Sequence, residues 1–120
     1  MLIAALLAAV LSQQPAEAPK PELPVLKAGL GGCAADFTVN SVDGKPVYLA
    51  VVHVKIRYGA MALKRMDLEV STNAEGKARI EGLPAKSRTL VYDIQKDNKK
   101  IIAQQDVTKE CQKAHNVTFR

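Results

Sequence analysis

From Cys33 to the C-terminus the apolar residues of this chain recur with a period of two, and that period, more than any motif, restricts what it can fold into. In "VYLAVVHVKIRYG", Val52, Val54, Ile56 and Tyr58 share one face while His53, Lys55 and Arg57 share the other. That is the pattern of a half-buried strand in an antiparallel sheet. In "DFTVNSV", Phe37 and Val39 oppose Thr38 and Asn40, and the run ends at Asp43-Gly44, a turn signal because glycine takes positive φ without penalty. In "AMALKRMDLEVST", Met66, Leu68 and Val70 alternate with Arg65, Asp67, Glu69 and Ser71. The composition of residues 60 to 69 also suits a helix, but the strict alternation from 65 to 71 selects a strand.

The segment "STNAEGKARIEGLPA" places two chain reversals fifteen letters apart. Asn73 to Gly76 forms a turn, Ala78 and Ile80 point inward, Lys77 and Arg79 point outward, and Gly82-Leu83-Pro84 ends a strand of about four residues. Such a strand crosses from one sheet to another. "RTLVYDIQ", with Leu90, Tyr92 and Ile94 in phase, then "IIAQQDV" and "NVTFR" complete about seven short strands with frequent turn signals. The expected fold is all-β: an immunoglobulin-like Greek-key β-sandwich.

A domain of this size has a small core. Hydrophobic residues are 48% of the chain, aromatics 4%, and tryptophan is absent, so the core must come from Val, Leu, Ile and Ala. A covalent staple is the usual remedy, and the two cysteines, one at each end of the domain, read as a disulfide from Cys33 to Cys111. Closing that loop stabilises the fold by about 4 kcal/mol through loop-closure entropy. Cys-x-x-Cys spacing is absent and His53 and His115 lack ligand spacing, so neither a metal nor a cofactor is expected.

The N-terminal run "MLIAALLAAVLS" has the length of the apolar region of an export signal and is short of the roughly 20 residues that span a bilayer. Residues 1–18 are assigned to a signal peptide, cleaved after Ala16-Glu17-Ala18 or, because Pro19 hinders that site, after Val10-Leu11-Ser12. Residues 19–32 are rich in Pro and Gly and read as an extended linker, leaving 33–120 as the domain. "LGGC" at 30–33 is similar to a lipidation signal, but it does not abut the apolar run, and lipidation would leave Cys111 without its partner. The expected location is secreted or periplasmic, with no stable membrane span after signal cleavage.

The pieces "FTV", "DGKPV", "AVVHV" and "TNAEGKARIEGLPA", followed by a closing apolar strand, resemble bacterial carboxypeptidase regulatory-like domains over residues 33 to 120. The resemblance implies a transthyretin-like sandwich and an accessory or adhesive module of the cell envelope, without catalytic residues of its own. The alternative within the same architecture is a transthyretin-like hydrolase of the 5-hydroxyisourate type. "TNAEGKA" is similar to a segment of those enzymes, but Ala34, Ala35 and Asp36 stand where their histidine is expected, and Thr118-Phe119-Arg120 replaces their terminal motif.

Other chemistry finds little support. With both cysteines bonded and two scattered histidines, no nucleophilic triad can be assembled from the pattern, and the carboxylates mostly neighbour Lys or Arg, as sheet-surface charge does. The net charge of +5 and pI of about 9.3 favour acidic partners. Lys55, Arg57, Lys77 and Arg79 are the candidate basic surface. Nucleic acid is not the expected partner, because stacking aromatics are few and export separates the chain from it. The expectation is a non-catalytic binding or structural module whose partner is an acidic envelope polymer or a protein, the latter docking through an edge strand.

Overall fold

The computed structural model describes residues 22–86 and 89–120. The assigned signal peptide and the first residues of the linker lie outside them. Among the described residues eight strands follow in order: β1 (Val25–Lys27), β2 (Cys33–Ser41), β3 (Val51–Tyr58), β4 (Lys64–Ser71), β5 (Lys77–Leu83), β6 (Thr89–Lys96), β7 (Lys99–Asp106) and β8 (Gln112–Phe119). They form two four-stranded sheets, β1-β5-β2-β8 and β4-β3-β6-β7. The all-β sandwich expected from the alternation is the observed fold, and residues 64–71 are strand as their period requires.

Alternation dictates the layers. Val52, Val54 and Ile56 of β3, Leu90, Tyr92 and Ile94 of β6, and Ala78 and Ile80 of β5 are all buried. Aliphatics make up most of the core, but its centre is aromatic: Phe37 meets Tyr92 edge to face at 4.9 Å between ring centroids and stacks on His115 at the same distance. Two of the chain's five Phe and Tyr residues therefore meet at one point between the sheets.

The two reversals around β5 are the sheet crossings. β4 belongs to one sheet, β5 to the other, and β6 to the first again. Entry to β5 is fixed by Asn73, whose side-chain oxygen accepts from the N–H groups of Glu75 and Lys77 (2.9 and 3.0 Å). Gly76 completes this turn at φ 74°, pressed so close to the Val39 carbonyl that a Cβ has no room. The packing is productive, since Gly76 O accepts the Val39 N–H at 2.7 Å. Buried Thr72 pins the loop between β2 and β3 by accepting from Ala50 N–H (2.9 Å) and donating to Val47 O (2.7 Å).

Two expectations need correction. The linker assigned to 19–32 is not a free tether throughout: Val25–Lys27 is a strand running parallel to β5, with Leu26 opposite Ile80 and packed against the core. Prolines did not prevent this because an edge strand needs hydrogen bonds on one side only, and Pro24 still offers its carbonyl, which accepts Arg79 N–H at 2.9 Å. Strand β5 is accordingly seven residues long, not about four. It continues through Gly82, whose φ of 74° comes with an approach so close that a Cβ would lie 2.5 Å from Gly29 N. Gly82 O then accepts from Leu30 N–H and Gly31 N–H (2.7 and 3.0 Å), tying the N-terminal segment down.

The disulfide joins Cys33 and Cys111 across 78 positions, with Cα atoms 4.6 Å apart. It links the start of β2 to the residue before β8, neighbouring parallel strands. No antiparallel turn could connect them, so the staple closes the sheet where the chain is most non-local.

Candidate functional site: a basic cleft in the second sheet

The central strands of the second sheet do not stay together. β3 and β6 pair from Val51↔Gln95 to Val54↔Tyr92, and there the ladder stops. Beyond that point β3 remains paired with β4 as far as Tyr58↔Lys64, while β6 remains paired with β7 as far as Thr89↔Asp106. The opening between them is a cleft of about 680 Å³. Lys55, Arg57 and Tyr58 of β3 line it, Lys86 and Pro84 reach it from the crossing after β5, and Leu90 and Leu30 add apolar surface.

Its electrostatics are one-sided. Among the described residues three cations line the cleft and no carboxylate does. None of Lys55, Arg57 and Lys86 makes an ion pair among the described residues. Across the β3–β4 ladder Arg57 faces Arg65, a second cation. Lys55 faces Asp67, whose carboxylate lies instead 3.6 Å from His53 Nε2. Unpaired cations around a partly apolar floor attract anions, and the separated strand edges add unpaired backbone groups.

The basic surface read from the sequence is therefore not one surface. Lys55 and Arg57 belong to β3 in the second sheet, Lys77 and Arg79 to β5 in the first, and each pair points outward from its own sheet. Alternation separates inside from outside but does not say which outside. Arg79 is also spent: its Nε donates to Glu81 at 2.8 Å and its Nη1 to Asp36 at 2.7 Å, and these hydrogen bonds raise its pKa above the ordinary value. Lys86 was missed because nothing in "LPAK" marks it; only the crossing brings it to β3.

A second constellation escaped the sequence reading. Gln105, in phase with Ile101 and Ala103 on β7, is buried. Its oxygen accepts from the Tyr92 hydroxyl at 2.7 Å and lies 3.5 Å from His115 Nε2, while its amide nitrogen donates to Glu110 O and Ala34 O at 2.8 and 3.1 Å. Burial pushes His115 down to about 4, with Lys113 adding to the effect, and raises Tyr92 above the ordinary tyrosine range. The signal was available, since a polar residue in phase with inward apolar ones must find partners. Gln105 orders the segment that carries Cys111; its hydrogen-bonding groups are all engaged within the fold.

At the positions where the hydrolase alternative expects a histidine, Ala34 and Ala35 are buried and Asp36 holds Arg79. His53 lies on the outer face of the second sheet between Asp67 and Asp93 (3.6 and 4.0 Å).

No protein-family model and no curated protein sequence matches the chain. Among solved structures it is similar to catechol 1,2-dioxygenase from Pseudomonas arvilla C-1, at 16% identity and a TM-score of 0.47, over 71% of this chain and 41% of that one. It is similar also to 3-chlorocatechol 1,2-dioxygenase from Rhodococcus opacus 1CP, at 15% identity and a TM-score of 0.43, over 88% of this chain and 69% of that one. The chain thus spans less than half the length of the first of these, and likeness at this level extends to neither substrate nor chemistry.

Proposed function

We propose that the chain is a non-catalytic binding or structural module of the cell envelope, secreted or periplasmic, and that its ligand is an acidic polymer held in the cleft between β3 and β6. The observation that carries this reading is the convergence of Lys55, Arg57 and Lys86 on one opening that, among the described residues, no carboxylate lines. Two features support the setting. The Cys33–Cys111 disulfide fits an oxidising compartment, and the resemblance to carboxypeptidase regulatory-like domains implies an accessory role. Titration calorimetry with polygalacturonate at low ionic strength tests it. Binding should weaken steeply with salt and be lost in Lys55→Glu/Arg57→Glu, while Lys77→Glu, on the opposite sheet, leaves it intact. Equal loss in both variants, or no heat at low salt, would sink the reading.

A further inference from the structure

At the mouth of the cleft the β3–β4 hairpin ends in a tip of five residues, "GAMAL", whose exposure the fold does not explain. Met61 is 88% and Leu63 77% exposed, the highest values of any large apolar side chains among the described residues. No residue of the Ala60–Ala62 turn is buried. Met61 and Ala62 both take left-handed backbone (φ 58° and 55°), which carries the chain around so that Met61 projects outward.

The tip wears a collar of one sign. From Lys55 to Met66 the chain carries Lys55, Arg57, Lys64 and Arg65 and no acid. Arg57 and Arg65 face each other across the ladder, an arrangement that costs stability in an isolated hairpin. Tyr58, paired with Lys64, stands at the boundary between collar and tip. An apolar apex, an amphipathic ring below it and long cationic side chains beneath are the order of groups that a lipid headgroup layer receives.

We propose that this hairpin tip is a membrane-docking wedge, with Met61 and Leu63 entering the acyl boundary of an anionic bilayer and Lys64, Arg65 and Arg57 engaging its phosphates. Charge complementarity selects the anionic surface. Convexity selects a bilayer over a protein partner, because two apolar side chains on a projecting turn fall far short of the ~800 Å² that each side of a stable protein interface buries, whereas a bilayer closes around a wedge of any size. The inference does not depend on the cleft binding a polymer.

Because the chain contains no tryptophan, Met61→Trp creates a single fluorescent reporter at the apex. With the full-length oxidised chain and vesicles of phosphatidylglycerol in phosphatidylcholine, its emission should move to shorter wavelength and be quenched by lipids brominated on the acyl chains. Ile102→Trp, on the far edge strand of the same sheet, should do neither. Adding Lys64→Glu and Arg65→Glu to Met61→Trp should weaken the response at least about tenfold. Local reporters separate the tip from any lipid affinity of the N-terminal apolar run. The proposal is overturned if the residue 61 reporter stays unquenched while the protein sediments with vesicles. It is overturned equally if phosphatidylcholine alone gives the same response, or if the shift arises without vesicles as protein concentration rises, which would make the tip a contact between copies.

Discussion

The Tyr92–Gln105 pair offers the sharpest test of how this core is held. Gln105→Met preserves side-chain volume and removes every side-chain hydrogen bond that Gln105 makes. The Tyr92 hydroxyl, on a side chain with no exposure, then has no acceptor, and the buried Ala34 carbonyl loses the Gln105 amide donor. With each orphaned buried group costing about 1–3 kcal/mol, the expected loss is about 2–4 kcal/mol. Tyr92→Phe should cost only about 1 kcal/mol, because it leaves an apolar ring against Phe37, and His115 Nε2 at 3.5 Å can turn toward the freed oxygen. In Tyr92→Phe/Gln105→Met the hydroxyl and its lost acceptor disappear together, so the double variant should be more stable than the sum of the singles predicts by about 1–2 kcal/mol. Urea unfolding followed by circular dichroism measures all four corners. Additivity within about 0.5 kcal/mol would refute the argument, since independent sites behave that way.

Further outcomes follow from the same geometry. His115 is neutral in the folded state with a pKa of about 4 against 6.5 for a free histidine, so its contribution is fully present above pH 6.5 and lost as pH falls toward 4. The loss is on the order of 3 kcal/mol, and His115→Phe, measured at pH 7, 5.5 and 4.5, should flatten that slope. Reducing Cys33–Cys111 reopens a loop of 78 positions and should lower stability by about 4 kcal/mol, read as a drop in urea midpoint with dithiothreitol. Gly76→Ala meets both a left-handed backbone and the Val39 carbonyl and should cost about 2–4 kcal/mol, whereas Gly44→Ala, in open space at φ 86°, should cost about 1 kcal/mol. Intact mass of protein recovered from its host, with and without reductant, should show a chain starting near residue 13 or 19 and a mass increase of two hydrogen atoms on reduction.

The division between what the sequence shows and what it hides follows the range of the interactions. Facing is local: a two-residue period tells Val54 from Lys55 with no knowledge of the partner strand, and it placed the inward residues of β4, of β6 and of β3 as far as Ile56 correctly, while Tyr58 turned out to line the cleft. Turn chemistry is local too, so the Asn73-to-Gly76 turn was legible from residue type, whereas Gly82, read as a strand end, lies inside β5 and the crossing begins only after Leu83. The staple needed only a count. What failed depends on which strand lies beside which. Val25–Lys27 has too few residues to show a period, and it becomes a strand because β5, more than fifty positions away, leaves an edge open. Arg79 looked like a free cation until the β2–β5 register put Asp36 opposite it. The same blindness hid the site. Lys55 and Arg57 acquire meaning from the point at which β3 parts from β6, and Lys86 joins them only because the chain crosses between sheets there. A strand's own sequence records which way its side chains face, but where two strands separate is decided by the twist and by the lengths of both. A cleft built by strand divergence is therefore legible only once the register is known, and its charges read beforehand as ordinary solvated surface.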